Sequence, residues 1–120
     1  MAKHTIVHVE FPAKDPAAAG KFYGELFGWK IQAFDEMNYV SFDTGEGAGG
    51  GFPELDENIK VGDVIVYVQT DDIEASLAKA ESLGGKTIMP KTEIPGMGWF
   101  AWFNDPTGNT VALYTGKESV

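Results

Sequence analysis

Residues 5–29 read TIVHVEFPAKDPAAAGKFYGELFGW, and the first half of the fold is decided there. Thr5, Val7, Val9 and Phe11 alternate with Ile6, His8 and Glu10, the period of two that marks a strand with one face on a core. Asp15-Pro16 then opens a helix: Asp caps free backbone N–H groups, and Pro suits the first helical position. Ala19, Phe22, Tyr23 and Leu26 follow at helical spacing, and Gly28 stands where glycine commonly ends a helix. Downstream, Trp29 to Phe34 and Tyr39 to Asp43 read as strands around the turn Asp35-Glu36-Met37-Asn38. Gly45 to Gly51 reads as a flexible glycine-rich turn before a short strand near Phe52.

The same order returns after a polar linker. Val64, Val66 and Val68 alternate with Ile65, Tyr67 and Gln69 in a strand. Asp71 and Glu74 suggest a capping box, with Ile73, Leu77, Ala80 and Leu83 on one helical face and Gly84-Gly85 as its stop. Lys86 to Lys91, Trp99 to Phe103 and Thr110 to Thr115 complete the set. The last two are joined by Asp105-Pro106-Thr107-Gly108-Asn109, where Pro and Gly hold favourable turn positions. Spacing is the strongest sign of duplication. Asp15 lies thirteen residues before Gly28, and Asp72 lies thirteen before Gly85. Ungapped alignment of those pairs sets His8 opposite Ile65 and Leu26 opposite Leu83.

The expectation is an α+β fold of two tandem β-α-β-β-β units. Unit one covers about residues 4–54, a linker about 55–62, and unit two about 63–116. Each unit is too small for a good core by itself, so the two should pack as a single domain over residues 1–120. Val7, Val9, Phe11, Val64, Val66, Val68, Val111 and Leu113 are expected against the helices.

Composition narrows the function classes. The chain has 120 residues, 43% of them hydrophobic and 22% charged, which reads as globular. No apolar run approaches the ~20 residues of a membrane span, and the N-terminus shows no signal-peptide pattern, so no membrane partner and a cytoplasmic location are expected. With no cysteine there is neither a disulfide nor a thiolate metal site. Eighteen acidic residues stand against nine basic ones, a formal charge of −9, and every basic residue is Lys. Nucleic acid is therefore not an expected partner, because phosphate would be repelled and the bidentate forks of Arg are absent. The acidic balance suits solubility, or a preference for cationic ligands.

The stretch from His8 to Pro12, Asp15, Phe22-Tyr23 and Leu26-Phe27-Gly28-Trp29 resembles the opening of a vicinal oxygen chelate protein. Asp71-Asp72-Ile73-Glu74-Ala75, Gly84-Gly85 and Asp105 to Asn109 running into Val111-Ala112-Leu113-Tyr114 match the second half. The superfamily includes glyoxalases, extradiol dioxygenases and bleomycin-resistance proteins. The resemblance covers nearly the whole chain. It implies mixed sheets that form a half-open cup, and a homodimer. Enzymes of the family take His, Gln or Glu metal ligands from the first and last strands of each unit, and the metal chelates vicinal oxygens or activates dioxygen. Carried over, those positions give His8, a competent ligand; Ile65, which cannot coordinate; and Ala112, where the family has Glu. Glu54 is the only carboxylate near the remaining position. A stable catalytic metal site usually needs three protein ligands, so no cofactor is expected, with a divalent Fe, Mn, Ni or Zn ion as the alternative.

Strand alternation puts His8, Glu10, Tyr67, Ala112 and Tyr114 on the face away from the helices. Pro95-Gly96-Met97-Gly98 leads into Trp99-Phe100-Ala101-Trp102-Phe103, whose aromatics occupy both faces, so Trp99 or Trp102 joins that cup. The glycine run lacks the Gly-Lys-Ser/Thr ending of a phosphate loop, and no spacing supports a hydrolytic triad. Two functions remain. One is a metal-free module binding a small organic ligand at His8, Glu10, Tyr67, Trp99 or Trp102, and Tyr114. The other is a glyoxalase-like lyase, isomerase or dioxygenase, with His8 or Glu10 as a base in a metal-free variant.

Overall fold

A computed structural model describes residues 4–117. The chain divides into two compact units, Val7–Val66 and a second made of residues 4–6 with residues 67–117. Among the described residues no helix is long and apolar enough to cross a membrane.

The first unit contains β1 (Ile6–Glu10), α1 (Pro16–Phe27), β2 (Lys30–Phe34), a 3-10 turn (Asp35–Met37), β3 (Tyr39–Asp43) and β4 (Gly49–Phe52). Its strands lie in the order β2-β3-β4-β1, with β4 parallel to β1 and antiparallel to β3. Asp15 caps α1, accepting from the Ala18 N–H at 3.1 Å, Pro16 follows, and Gly28 closes the helix at φ 76°. Both ends are those expected from the sequence.

The glycine run is not a loop throughout. Gly49, Gly50 and Gly51 form the body of β4, paired with His8, Val9 and Glu10 on one side. A strand without side chains shows no alternation, so its residues read as a turn. Its two neighbours need it bare. A Cβ at Gly50 would overlap the Val9 carbonyl oxygen and the Phe42 ring, and one at Gly51 would overlap the Tyr39 hydroxyl.

Helix α1 turns only part of its apolar pattern inward. Ala19 and Tyr23 pack on the core of Val40, Phe42 and Phe52, together with Phe11 and Trp29. Gly20 and Gly24 sit against Ile31, where a Cβ at Gly20 would lie only 2.8 Å from Ile31 Cγ2. The small residues therefore take the inner face. Phe22 and Leu26, at the same helical spacing as Ala19 and Tyr23, are 59% and 57% exposed.

The second unit repeats the topology. After β5 (Ile65–Gln69) come α2 (Ile73–Ser82), β6 (Lys86–Ile94), β7 (Gly98–Asn104) and β8 (Thr110–Gly116). The order is β5-β8-β7-β6, with β5 parallel to β8, as β1 is to β4. The N-cap of α2 is Asp72, not Asp71: Asp72 accepts from the Ala75 N–H at 3.0 Å. Ile73, Leu77, Ala101 and Leu113 form the core, with Val68, Trp99 and Phe103 against it. Leu83 falls beyond the end of α2 and is exposed, and Val64 precedes β5 and is exposed too. Of the residues expected against the helices, Phe11, Val68 and Leu113 pack on the two cores.

The β7–β8 turn is held by one carboxylate. Asp105 Oδ1 accepts from the Thr107 hydroxyl at 2.7 Å and from the N–H groups of Thr107 and Asn109, each at 2.9 Å. The Thr107 hydroxyl, then the Asn109 N–H, lower its pKa from the usual 3.8 to about 2. Hydrogen bonds to the charged form favour it. The stabilisation is full above the unfolded value of 3.8 and is lost as pH falls through about 2. The thermal midpoint should accordingly drop between about pH 4 and pH 2. Asp105→Ala should remove part of that drop, so that wild type and variant converge near pH 2; parallel acid titrations would show no convergence if the turn carried none of it.

Candidate functional site

Alternation in β1 turns His8 and Glu10 away from α1, and in β3 it turns Tyr39 and Ser41 the same way, because Phe11, Val40 and Phe42 take the core side. Between these strands runs β4, where Gly51 pairs with Glu10 on one side and with Ser41 on the other. With no side chain at Gly51, Tyr39 lies across β4 and reaches β1.

Three polar groups meet there. The Tyr39 hydroxyl donates to Glu10 Oε2 at 2.8 Å. Its oxygen is 2.9 Å from His8 Nε2, and His8 Nε2 is 3.5 Å from Glu10 Oε2. The single hydroxyl proton goes to the carboxylate, so the bond to His8 requires the imidazole to carry its proton on Nε2. Glu10 is buried, whereas the His8 side chain is 32% exposed. His8 is thus the accessible end of a fixed network whose inner members are Tyr39 and Glu10. Such a chain can hydrogen-bond a ligand, and it has the parts to pass a proton. A cleft of about 700 Å³ in the same unit is lined by Tyr39 together with Lys14, Asp15, Asp35, Asn38 and Glu54; His8 and Glu10 are not in its wall.

The expected aromatic residues fall in the second unit and do not form one set. Trp99 belongs to the α2 side: it packs against Ile73, Leu77, Ala101 and Leu113, with the Lys91 ammonium 5.2 Å from its ring centroid. Trp99 is therefore a core residue and not a cup residue. Tyr67, Trp102 and Tyr114 have the opposite parity and lie on the face away from α2. Ala112 stands between Tyr67 and Trp102 in register and is fully buried. The space left by an alanine here is not an open recess. The Trp102 Nε1–H is buried without a hydrogen-bond partner among the described residues, and the Tyr114 hydroxyl donates to the Met97 carbonyl at 2.8 Å.

Comparison with known proteins bears on this arrangement. Residues 5–45 match the bleomycin resistance protein-like N-terminal family. A glyoxylase-like domain-containing protein from Didymella fabae is 31% identical over 115 residues, covering 89% of this chain and 90% of that protein. The chain belongs to the vicinal oxygen chelate superfamily. The anthracycline biosynthesis protein DnrV of Streptomyces peucetius is 27% identical over 83% of the chain, which spans 42% of that longer protein. Methylmalonyl-CoA epimerase from Mycobacterium tuberculosis has the same fold, with a TM-score of 0.71 at 14% identity over 97% of this chain and 92% of that one. The α+β fold expected from the sequence is the fold of this superfamily.

The superfamily's metal finds few donor side chains at the positions the resemblance gives for it. At its ligand positions Ile65 and Ala112 carry no donor atom. Glu54 accepts a hydrogen bond from the Asn38 amide, and the Glu10 carboxylate is held by Tyr39. Among the described residues, no three His, Asp or Glu side chains are grouped to hold an ion. His8 and Glu10 together fall short of the three ligands such a site needs.

Strand alternation puts His8 and Glu10 on this face, and Tyr39 was not among the residues expected there. The signal was present: Tyr39-Val40-Ser41-Phe42-Asp43 alternates, with Val40 and Phe42 apolar, which puts Tyr39 on the polar face. What hid it was the reading of Gly49–Gly51 as a turn, which left no bare strand for the ring to cross.

Proposed function

We propose that this chain binds a small organic molecule on the polar face of its first unit, without the superfamily's usual divalent metal. The observation that carries this reading is the His8–Tyr39–Glu10 network, laid over a strand stripped of side chains at Gly49 and Gly51. Polar groups fixed in advance by one another orient a ligand at little further entropic cost. A bare strand beside them suits a flat molecule lying close to the backbone. The relative named for anthracycline biosynthesis supports the same class, since anthracyclines are planar, oxygen-rich ring systems. His8 supplies the hydrogen bond nearest solvent, and Tyr39 and Glu10 hold it in place.

An enzymatic reading, as a lyase or isomerase, is favoured by one feature: a buried carboxylate joined through a phenol to a half-exposed imidazole can take up a proton from a carbon acid. Isotope exchange into an α-hydroxy ketone, catalysed by wild type and lost in Glu10→Gln, would favour it.

Binding is tested by amide chemical shifts on titration with a hydroxyanthraquinone, a naphthoquinone and the hemithioacetal of methylglyoxal. The expected shifts cluster at His8, Glu10, Tyr39, Gly49 and Gly51. His8→Ala and Tyr39→Phe should each weaken binding by about 3- to 10-fold, the scale of one hydrogen bond. Shifts confined to other residues, or unchanged affinity in both variants, would sink the proposal.

A further inference from the structure

The cleft of about 700 Å³ in the first unit has neither His8 nor Glu10 in its wall, which comes from the start of α1, the β2–β3 hairpin and the segment after β4. Its volume falls in the range of about 300–1,000 Å³ usual for small-molecule sites. The apolar part of the lining is alkyl and small. Ala33 and Val40 are register partners in β2 and β3, and Pro16 and Ala17 begin α1. The rim is acidic: Asp15, Asp35 and Glu54 border the cleft and are exposed, against one cation, Lys14. Among the described residues none of the three carboxylates is ion-paired, with Lys14 or with any other group. Asp15 Oδ1 caps α1, and Glu54 Oε1 accepts from the Asn38 amide at 2.5 Å. Asn38 closes the 3-10 turn that carries Asp35, so this bond ties that turn to Glu54.

We infer that this cleft binds a linear polyamine, a chain of methylenes carrying two or more ammonium groups. A point cation matches it badly, because the carboxylates do not gather: among the described residues no three His, Asp or Glu side chains are grouped to hold an ion. A polyamine spreads its charge at intervals of several methylenes. Each ammonium, with three N–H donors, then meets a different carboxylate while the methylenes lie on the alanines and Val40. An anion is disfavoured although a helix begins here, since Asp15 already caps α1 and the rim holds three negative charges to one positive. A quaternary ammonium is held by a cage of several rings, and Tyr39 is the one aromatic residue in the wall.

The formal charge of −9 adds a long-range attraction for a polycation. The carboxylates are exposed, so each ammonium contact is weak and binding depends on several of them at once. The affinity should therefore be modest, and it should fall as added salt screens the rim.

Amide chemical shifts of the full chain, followed on titration with spermidine at low and at physiological salt, test this. The expected shifts cluster around residues 14–17, 33–40 and 54. The double variant Asp35→Asn with Glu54→Gln should weaken spermidine about fivefold, two exposed ion pairs' worth. Glu25→Gln with Glu57→Gln removes the same net charge away from the cleft and should weaken it less than about twofold. Ala33→Leu leaves the charge untouched but fills the cleft, and should weaken binding about threefold. All five positions are exposed, so the fold should survive, which circular dichroism checks. Shifts spread evenly over the acidic surface would overturn the inference. So would equal losses in the two charge variants, an Ala33→Leu protein that binds as wild type does, or magnesium chloride that reproduces the spermidine pattern at equal ionic strength.

Discussion

Gly50→Ala should destabilise the first unit by more than about 3 kcal/mol, the upper end of what overpacking usually does. The added methyl meets the Val9 carbonyl oxygen, a backbone atom, and the Phe42 ring, which packs with Phe52 in the core. A flexible side-chain tip can move aside; a carbonyl in a parallel ladder cannot move without opening β1 from β4. Losing that pairing would also loosen His8 and Glu10, which β4 holds in register. Gly47→Ala is the control. Gly47 has φ 80° and open space around it, so its variant pays only for a left-handed backbone, about 1–2 kcal/mol. Chemical denaturation of both variants decides the matter. Equal, small losses would mean that Gly49–Gly51 is a loop after all.

Such a contrast shows where the sequence is legible and where it is not. The duplication could be read because its signals are local: an Asp cap, a glycine stop, and thirteen residues between them in each half. Those caps are where spacing placed them, at Asp15 and Asp72. Strand faces with side chains could also be read, which is why His8 and Glu10 emerged at once. Two kinds of fact were hidden. One is a strand made of glycine, which leaves no pattern and borrows the signature of a turn. The other is the choice between two overlapping stripes on α1. Phe22 and Leu26 look like core by hydrophobicity, yet Gly20 and Gly24 allow the helix to approach Ile31 so closely that the glycine side goes inward. Close approach is a three-dimensional fact that a list of apolar positions does not contain. Trp99 and Trp102 illustrate a third limit. Aromatics on both faces of β7 leave their roles open until α2 is seen to cover Trp99. At Ala112, where the family has Glu, Tyr67 and Trp102 stand on either side in register and the residue is buried.

Gly51→Ala should act on the site more than on the fold, with a loss of roughly 2–4 kcal/mol that depends on Tyr39. The methyl would occupy the place of the Tyr39 hydroxyl and part of its ring. Unlike the Val9 carbonyl, that ring can swing out, but doing so withdraws its hydrogen bond from Glu10, a buried carboxylate, and its contact with His8. Removing a donor from a buried charged group is worth about 1–3 kcal/mol, and the displaced ring adds strain of its own. Tyr39→Ala alone loses the same hydrogen bond and the ring packing, but it empties the space over β4. In the double variant the atoms that a methyl at position 51 would meet first are gone, and Gly51→Ala should then cost much less. The double-mutant cycle should show a coupling of more than about 1 kcal/mol between positions 39 and 51, far above the near-zero value of independent sites. Binding of the planar probes should fall in both single variants, because each breaks the same network. Additive stability losses would mean that Tyr39 does not cross β4 at Gly51, and the candidate site would then have to be rebuilt around His8 and Glu10 without it.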